Sequence, residues 1–261
     1  MHKDIKALIL DMDGVLWREA TPIGDLPAIF ARIREAGLKF AFATNNSTKT
    51  VDGFVKVMQD FGVGLDAGQI MTSSLATAEV LRRQFPNGGP IFLIGETGIA
   101  SALESKGFQA ITDAQDETRP LAVVVGFDRQ CTYAKLRRAT LHIRSGVPFI
   151  GTNPDKTFPS PQGLVPGAGA LQAALTAATD AQPQVIGKPS PEMMRIVLAR
   201  LGTRPAETLV VGDRLETDIA AGQAAGCKTA LVLSGVSTRA QAESWSPAID
   251  YIAEDLGSLV A

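Results

Sequence analysis

The chain has 261 residues, of which 45% are hydrophobic and 20% charged, and its formal net charge is −2. This composition excludes a collagen, a disordered tail and a low-complexity fibre, and the length suffices for a large core in one or two domains. Lys and Arg number 25 against 27 Asp and Glu, and this balance argues against nucleic acid as the main partner.

Cysteine and histidine are both scarce. Cys131 and Cys227 stand far apart in the sequence, which is typical of a reducing compartment and too few for a disulfide framework or a zinc cluster. The histidines are His2 and His142, so we expect carboxylates to serve as acids, bases and metal ligands. No segment resembles a secretory signal or a membrane span. We therefore expect a soluble cytoplasmic protein without a membrane partner.

Short apolar runs alternate with longer helical patterns along the chain. The runs predict strands at Ala7–Leu10, Lys39–Ala43, Ile91–Ile94, Ala122–Val125, Phe149–Ile150, Val185–Ile186, Thr208–Val211, Thr229–Leu233 and Tyr251–Ile252. The helical patterns predict helices at Pro27–Glu35, Val51–Phe61, Ser74–Gln84, Tyr133–Arg144, Ala168–Ala178, Pro191–Leu201 and Thr217–Ala224. Continuous aliphatic strands that alternate with amphipathic helices predict an α/β fold with a mostly parallel sheet.

The middle of the chain, from about residue 85 to residue 183, has a different residue pattern from the rest of the sequence. It contains two loop-like segments, at 112–120 and 151–169, and the second is rich in Pro and Gly. It also contains β-α units of its own. Two interpretations stay open at this point: a second domain inserted into the first, or one large sheet.

Four of the predicted strands run into an unusual polar residue. In chain order, the polar residues at or just beyond these strand ends are Asp11 and Asp13, then Thr44 with Asn45 and Asn46, then Lys188, and finally Asp213 followed by Asp218. The carboxyl ends of parallel strands form the crevice in which ligands bind, so we expect these groups to converge there. Carboxylates, a hydroxyl, an amide and an ammonium together suit a divalent metal and a phosphate group.

Each of these residues has a simpler interpretation when it is taken alone. An Asp-Gly pair commonly ends a strand in a turn, a threonine before a helix commonly caps it, and most lysines are exposed. Residues i and i+2 of an extended chain point the same way, so Asp11 and Asp13 are expected to lie side by side. Two such carboxylates repel each other, which favours a bound cation.

Together the segments resemble the four motifs of the haloacid dehalogenase superfamily. The resemblance rests on Asp11-Met12-Asp13-Gly14-Val15-Leu16-Trp17, Thr44-Asn45, Lys188, and Gly212-Asp213 through Asp218. Dehalogenases of this family lack an aspartate two positions after the nucleophile, so Asp13 indicates a phosphatase. The spacing leaves room for an inserted cap domain between Asn45 and Lys188, as in the NagD-like branch, subfamily IIA, which includes 4-nitrophenylphosphatases.

The resemblance implies a Rossmann-like three-layer core with a parallel sheet at residues 1–78 and 183–261. It places an inserted α/β cap domain of type C2 at residues 79–182. The implied activity is hydrolysis of phosphate monoesters of small molecules: sugar phosphates, nucleoside monophosphates, phosphoglycolate or 4-nitrophenyl phosphate. The alternatives are a phosphotransferase that uses the same intermediate and a catalytically silent protein that binds a phosphate ligand. Whether the chain forms a homo-oligomer is left open.

The resemblance also implies the catalytic roles. Asp11 would be the nucleophile that forms an aspartyl-phosphate. Asp13 would protonate the leaving oxygen and then take a proton from the attacking water. Mg²⁺ would be held by Asp11, the backbone carbonyl of Asp13 and Asp213. Asp218 would stand just outside these ligands and orient a metal-bound water.

Phosphate binding is implied for the second and third motifs. Thr44, Asn45 and Asn46 would bind phosphoryl oxygens, with Thr44 and the Asn45 backbone at a helix N-terminus. Lys188 would neutralise charge on the nucleophile and on the transferring group. The inserted segment is expected to choose the leaving group, with a contribution from the polar loop that ends in Asp155.

Overall fold

The computed structural model describes residues 4–160 and 162–261 of the chain, so His2 lies outside the described residues. These residues form two compact units. Unit 1 comprises residues 4–44, Val51–Met71 and Lys188–Ala261, and unit 2 comprises Asn45–Thr50 and Thr72–Gly187. Each unit has its own sheet. The predicted α/β class is confirmed, and the alternative of one large sheet is wrong.

Strands and helices alternate along much of the described chain. The strands are β1 (Ala7–Leu10), β2 (Trp17–Arg18), β3 (Thr21–Pro22), β4 (Lys39–Thr44), β5 (Ile70–Thr72), β6 (Gly89–Ile94), β7 (Phe108–Ile111), β8 (Ala122–Val125), β9 (Phe149–Gly151), β10 (Thr157–Ser160), β11 (Gly163–Pro166), β12 (Gln184–Val185), β13 (Thr208–Gly212), β14 (Lys228–Val232) and β15 (Tyr251–Ala253). The α-helices are α1 (Leu26–Glu35), α2 (Val51–Asp60), α3 (Ser73–Gln84), α4 (Thr97–Glu104), α5 (Tyr133–Arg144), α6 (Ala168–Thr179), α7 (Glu192–Leu201), α8 (Ala220–Ala224), α9 (Arg239–Glu243) and α10 (Leu256–Leu259).

The main sheet of unit 1 has the strand order β15-β14-β13-β1-β4-β5. The pairs β15-β14, β14-β13, β13-β1 and β1-β4 are parallel, and Leu10 at the end of β1 lies opposite both Val211 and Phe42. This register brings the carboxyl ends of the three central strands to one edge of the sheet. Asp11 directly follows Leu10, and Asp213 lies two residues beyond Val211. The predicted convergence at this edge follows from the register.

Unit 2 contains a five-stranded sheet of order β12-β9-β8-β6-β7, in which every pair is parallel. Its core packs strand residues such as Phe92 and Val123 against helix residues such as Ile143 and Leu175. The predicted loop at 112–120 is irregular, as expected. The segment 151–169 is more than a loop, because β10 and β11 form an antiparallel hairpin within it.

The unit boundaries differ from those predicted at residues 78/79 and 182/183. Residues 78 and 79 lie inside α3, which has buried residues on both sides of this point, and all of α3 belongs to unit 2. Beyond residue 183, β12 pairs with β9 and so also belongs to unit 2. The assignment of a catalytic core and a cap to the two units stays a prediction. None of the helices in the described ranges is both long and apolar enough to cross a membrane.

Three phenylalanines form the centre of the unit 1 core. The ring of Phe30 on α1 lies 5.1 Å from that of Phe40 and 5.7 Å from that of Phe42, both on β4. Phe30 and Phe42 are fully buried. Aromatic pairs at these distances add to the stabilisation from burial alone. Helix α1 is thereby fixed against the strand that leads to the second motif.

The substitution Phe30→Ala tests this packing. It removes a fully buried ring, and we expect a loss of about 3–5 kcal/mol in the free energy of unfolding because the cavity can close only partly. Urea denaturation measures the loss. Leu164→Ala is the control, since Leu164 is 74% exposed. Similar losses for the two variants would contradict the packing described here.

Candidate active site

Lys188 lies at the centre of the polar residues at the edge of the unit 1 sheet. Its ammonium Nζ is 2.6 Å from Asp11 Oδ1 and 2.6 Å from Asp218 Oδ1. It also donates a hydrogen bond to the backbone carbonyl of Ala43 at 2.8 Å. The side chain is only 3% exposed. A lysine this deeply buried requires partners of this kind, because an unpaired buried charge is costly.

Asp213 follows β13 and is held by the loop that follows β14. Its Oδ2 accepts a hydrogen bond from the Val236 backbone N–H at 2.8 Å. A Cβ atom at Gly235 would lie 2.0 Å from the same oxygen, and one at Gly14 would lie 2.5 Å from it. Both positions therefore require glycine. Asp213 Oδ1 is buried and has no hydrogen-bond partner among the residues that the structure describes.

Asp218 is brought to the cluster by a wide helical turn, Leu215–Ile219, that precedes α8. The predicted helix at Thr217–Ala224 therefore begins in a turn of larger radius than an α-helix. The Asp218 carboxylate reaches back, and its Oδ2 accepts from the Arg214 N–H at 3.1 Å. A Cβ atom at Gly212 would lie 2.1 Å from the Cβ of Asp218. The glycine lets the carboxylate approach the end of β13.

Asp11, Asp213 and Asp218 form a cluster in which one carboxylate oxygen from each lies within 4.8 Å of the others. Three carboxylates and one lysine leave an excess of negative charge in a buried space. Burial raises the pKa of Asp11 well above its usual value, and Asp218 and Asp213 raise it further, while Lys188 opposes the shift. Burial, with a contribution from Asp218, raises the pKa of Asp213 to about 6.

The same acids favour the charged form of Lys188. Burial alone lowers the pKa of a lysine. The neighbouring Asp11 and Asp218 outweigh this effect and raise the pKa of Lys188 above its usual value. The ammonium is therefore held in its charged form.

Asp13 lies outside this acid cluster. Its side chain is exposed, and its Oδ1 accepts a hydrogen bond from the indole N–H of Trp17 at 2.7 Å. Residues 11–13 are not extended as expected, because β1 ends at Leu10 and the chain then turns. Leu16 N–H donates to the Met12 carbonyl at 2.8 Å within that turn.

The residues of the second motif divide between the two units. Thr44 ends β4 in unit 1 and is 2% exposed, whereas Asn45 and Asn46 belong to unit 2. The expectation that Thr44 and the Asn45 backbone stand at a helix N-terminus is wrong, because α2 begins only at Val51. Asn46 Oδ1 instead accepts from the N–H and the hydroxyl of Thr48, at 3.0 and 2.8 Å, and closes a turn.

Asn45 is held by several residues of unit 2. Its backbone carbonyl accepts from Ser73 Oγ at 2.8 Å and from Asn153 Nδ2 at 2.7 Å. Its side-chain amide donates to Asp155 Oδ2 at 3.5 Å. Asp155 thus contacts the second motif. Its expected role toward the leaving group stays a prediction.

Sequence reasoning missed two parts of this site. The loop at residues 234–237 was one, although it follows the apolar strand β14 at the same edge and the strand-end argument applies to it equally. The indole N–H of Trp17 was the other. A buried tryptophan usually gives its N–H to an acceptor, and this signal points to a nearby carboxylate.

Three carboxylates and a buried lysine thus meet at the carboxyl ends of parallel strands, the place where α/β enzymes bind their ligands. Comparison with known proteins gives the family. The sequence model of the haloacid dehalogenase-like hydrolases matches residues 8–109, and a related HAD-hydrolase-like model matches residues 185–259. The acid sugar phosphatase of Staphylococcus aureus is 34% identical over 259 residues, which cover 99% of this chain and 98% of that protein.

Solved structures agree with this result. The p-nitrophenyl phosphatase from Archaeoglobus fulgidus superposes with a TM-score of 0.90 at 33% identity, covering 98% of both chains. NagD from Escherichia coli superposes with a TM-score of 0.88 at 32% identity, covering 97% of both chains. A glycerol phosphate phosphatase from Mycobacterium tuberculosis, in complex with magnesium, has a TM-score of 0.90 and 32% identity, covering 98% of this chain and 77% of that one. The chain belongs to the haloacid dehalogenase superfamily and to its NagD-like phosphatases.

The substitution Lys188→Met tests the electrostatic role of the buried lysine. It leaves the carboxylates of Asp11 and Asp218 without their ammonium partner, and we expect a loss of about 3–5 kcal/mol in the free energy of unfolding, measured by urea denaturation. Lys228→Met is the control, because the ion pair of Lys228 with Asp250 is exposed and its loss is expected to cost far less. Equal destabilisation by both substitutions would contradict a central role for Lys188.

Proposed function

We propose that the protein hydrolyses phosphate monoesters of small molecules, sugar phosphates among them, through a phosphorylated Asp11. The observation that carries this proposal is the Asp11 carboxylate, which Lys188 contacts within a cluster of three acids. The names of the relatives, acid sugar phosphatase and p-nitrophenyl phosphatase, support the substrate class.

The acid cluster suits Mg²⁺. Its donors are all oxygen atoms, which this hard cation prefers. Asp213 Oδ1 is buried without a hydrogen-bond partner among the described residues, so it is available as a ligand. Asp11, Asp213 and the backbone carbonyl of Asp13 would hold the ion, while Asp218 stays engaged by Lys188 and by the Arg214 N–H. When bound, Mg²⁺ would offset the negative charge of the acids and of the phosphoryl group.

The residues of this chain can account for both halves of the reaction. A carboxylate oxygen of Asp11 attacks phosphorus, the bond from phosphorus to the leaving oxygen breaks, and Asp13 gives that oxygen a proton. Asp13 then takes a proton from water, which attacks the phosphorus of the aspartyl-phosphate and releases inorganic phosphate and free Asp11. Lys188 stabilises the negative charge that is shared by Asp11 and the transferring group.

Phosphate binding is proposed for Lys188 and Thr44. Thr44 directly follows Ala43, whose carbonyl accepts the hydrogen bond from Lys188, so the backbone places both residues at the same edge of the sheet. A hydroxyl and an ammonium at this edge suit the oxygens of a phosphoryl group. Binding by Asn45 and Asn46 stays a prediction.

The substitution Asp11→Asn tests the proposed nucleophile. An amide of the same shape does not attack phosphorus, so we expect hydrolysis of 4-nitrophenyl phosphate to fall by more than about a thousandfold. Asp128→Asn is a matched control, because Asp128 is also a buried aspartate paired with a lysine, Lys135, at 2.8 Å. Activity of the Asp11 variant within about tenfold of the wild type would contradict the assignment.

Magnesium binding is expected to stabilise the protein in a pH-dependent way. The folded-state pKa of Asp213 is raised to about 6, above the unfolded value of about 3.9. In the metal-free protein the contribution of Asp213 to stability therefore falls as the pH rises through this window. Only the ionised carboxylate binds the cation, so the increase in Tm on adding Mg²⁺ should be larger at about pH 7.5 than at about pH 5.

Differential scanning fluorimetry with and without MgCl₂ measures this effect. Asp213→Asn should remove most of the increase at the higher pH, because the amide is a weaker ligand. Asp128→Asn should retain it, since Asp128 lies in unit 2, outside the acid cluster. Equal increases in Tm at both pH values would contradict Asp213 as a ligand that must lose its proton.

A further inference from the structure

The hydrogen bond between Trp17 and Asp13 joins a buried ring to an exposed carboxylate. Trp17 is 4% exposed, and its Nε1 lies 2.7 Å from Asp13 Oδ1. No second donor contacts Asp13 within the part of the chain that the structure describes. The carboxylate therefore has one oxygen fixed by the indole, and its Oδ2 receives no hydrogen bond from those residues.

The indole ring is itself held firmly. It packs against Phe61, with ring centroids 5.8 Å apart, and belongs to the core cluster of unit 1. The backbone carbonyl of Trp17 accepts from the Gly14 N–H at 2.7 Å. The Gly14 carbonyl in turn accepts from Ser234 Oγ at 2.7 Å. The donor is thus part of a rigid turn whose backbone contacts do not depend on the indole nitrogen.

An exposed aspartate without this bond would sample several side-chain rotamers. Proton transfer requires the carboxyl group to stay within hydrogen-bond reach of the leaving oxygen. We propose that Trp17 is a positioning residue, whose indole N–H fixes Asp13 Oδ1 so that Asp13 Oδ2 carries the proton to the leaving oxygen. This inference rests on the proposed function, in which Asp13 is the general acid and base.

The inference predicts a specific kinetic signature. Phenolate is a poor leaving group and needs the proton, whereas 4-nitrophenolate departs without much help. Phenyl phosphate and 4-nitrophenyl phosphate are otherwise similar in shape. The ratio of kcat/KM for the 4-nitrophenyl ester to kcat/KM for the phenyl ester therefore reports protonation of the leaving oxygen. A defect in folding or in phosphate binding lowers both constants together and does not change this ratio.

The experiment measures this ratio in wild type, Trp17→Phe, Asp13→Asn and Trp245→Phe. Phenylalanine keeps an aromatic ring but removes the N–H. Trp245→Phe is the matched control, because Trp245 Nε1 donates to Gln223 Oε1 at 3.1 Å and not to a carboxylate. We expect Trp17→Phe to raise the ratio by about tenfold or more, on the scale of one hydrogen bond to a charged group. Asp13→Asn should raise it at least as much, and Trp245→Phe should not.

The outcomes separate this inference from the proposed function. Asp13→Asn could raise the ratio while Trp17→Phe lowers kcat/KM equally for the two esters. Trp17 would then have only a structural role, and the inference would be overturned while the proposed function stands. If Asp13→Asn leaves the ratio unchanged, or the wild type hydrolyses neither ester, the role of Asp13 fails and the inference fails with it.

A second variant covers the case in which Trp17→Phe does not fold. The chain has two tryptophans, so in the Trp245→Phe background a replacement of all tryptophan by benzothienylalanine changes Trp17 alone. This analogue keeps the shape of the indole and replaces the N–H with sulfur. The same rise in the ratio is expected, and an unchanged ratio would overturn the inference.

Discussion

Three neighbouring carboxylates, two of which contact one buried ammonium, are the constraint on which the rest of this site depends. Asp11 and Asp218 each lie 2.6 Å from Lys188 Nζ, and Asp213 completes the cluster. Such a group of acids is unfavourable in a protein interior unless cations compensate for it. The fold supplies one cation, and the remaining negative charge makes the site suited to a second one. Within this cluster Lys188 opposes the rise in the pKa of Asp11, and so favours the ionised form that a nucleophile needs.

The backbone around the cluster is shaped by the need to bring the acids close together. Glycine stands at positions 14, 212 and 235, where a Cβ atom would collide with Asp213 or Asp218. The wide turn at Leu215–Ile219 returns Asp218 toward the end of β13. The parallel register of β1 and β13 sets the spacing of the other two acids. The glycines and the wide turn are local irregularities that let the acids approach one another.

The strands that position the site were predictable because each contains a continuous apolar run. Every strand predicted from an apolar run overlaps an observed strand, and the order of polar residues at their ends indicated the acid cluster. The missed strands, such as β7 and the hairpin β10–β11, have no continuous aliphatic run, because polar, Pro or Gly residues interrupt them. The start of α2 was predicted correctly. The turn that Asn46 closes before this helix was not predicted, because it depends on a side-chain hydrogen bond. The acceptor of the Trp17 N–H was likewise not predictable, since the Asp13 carboxylate contacts the indole only because the chain turns between them.

The central claim is that Asp11 becomes phosphorylated, and the variant Asp13→Asn offers the most direct measurement. With 4-nitrophenyl phosphate the leaving group departs without a general acid, but water is no longer activated, so the intermediate should accumulate. Acid quenching followed by peptide mass spectrometry is expected to find a phosphoryl group on Asp11, in amounts that match a burst of 4-nitrophenol. A burst with the phosphoryl group on another residue, or with no phosphorylated peptide, would contradict this account.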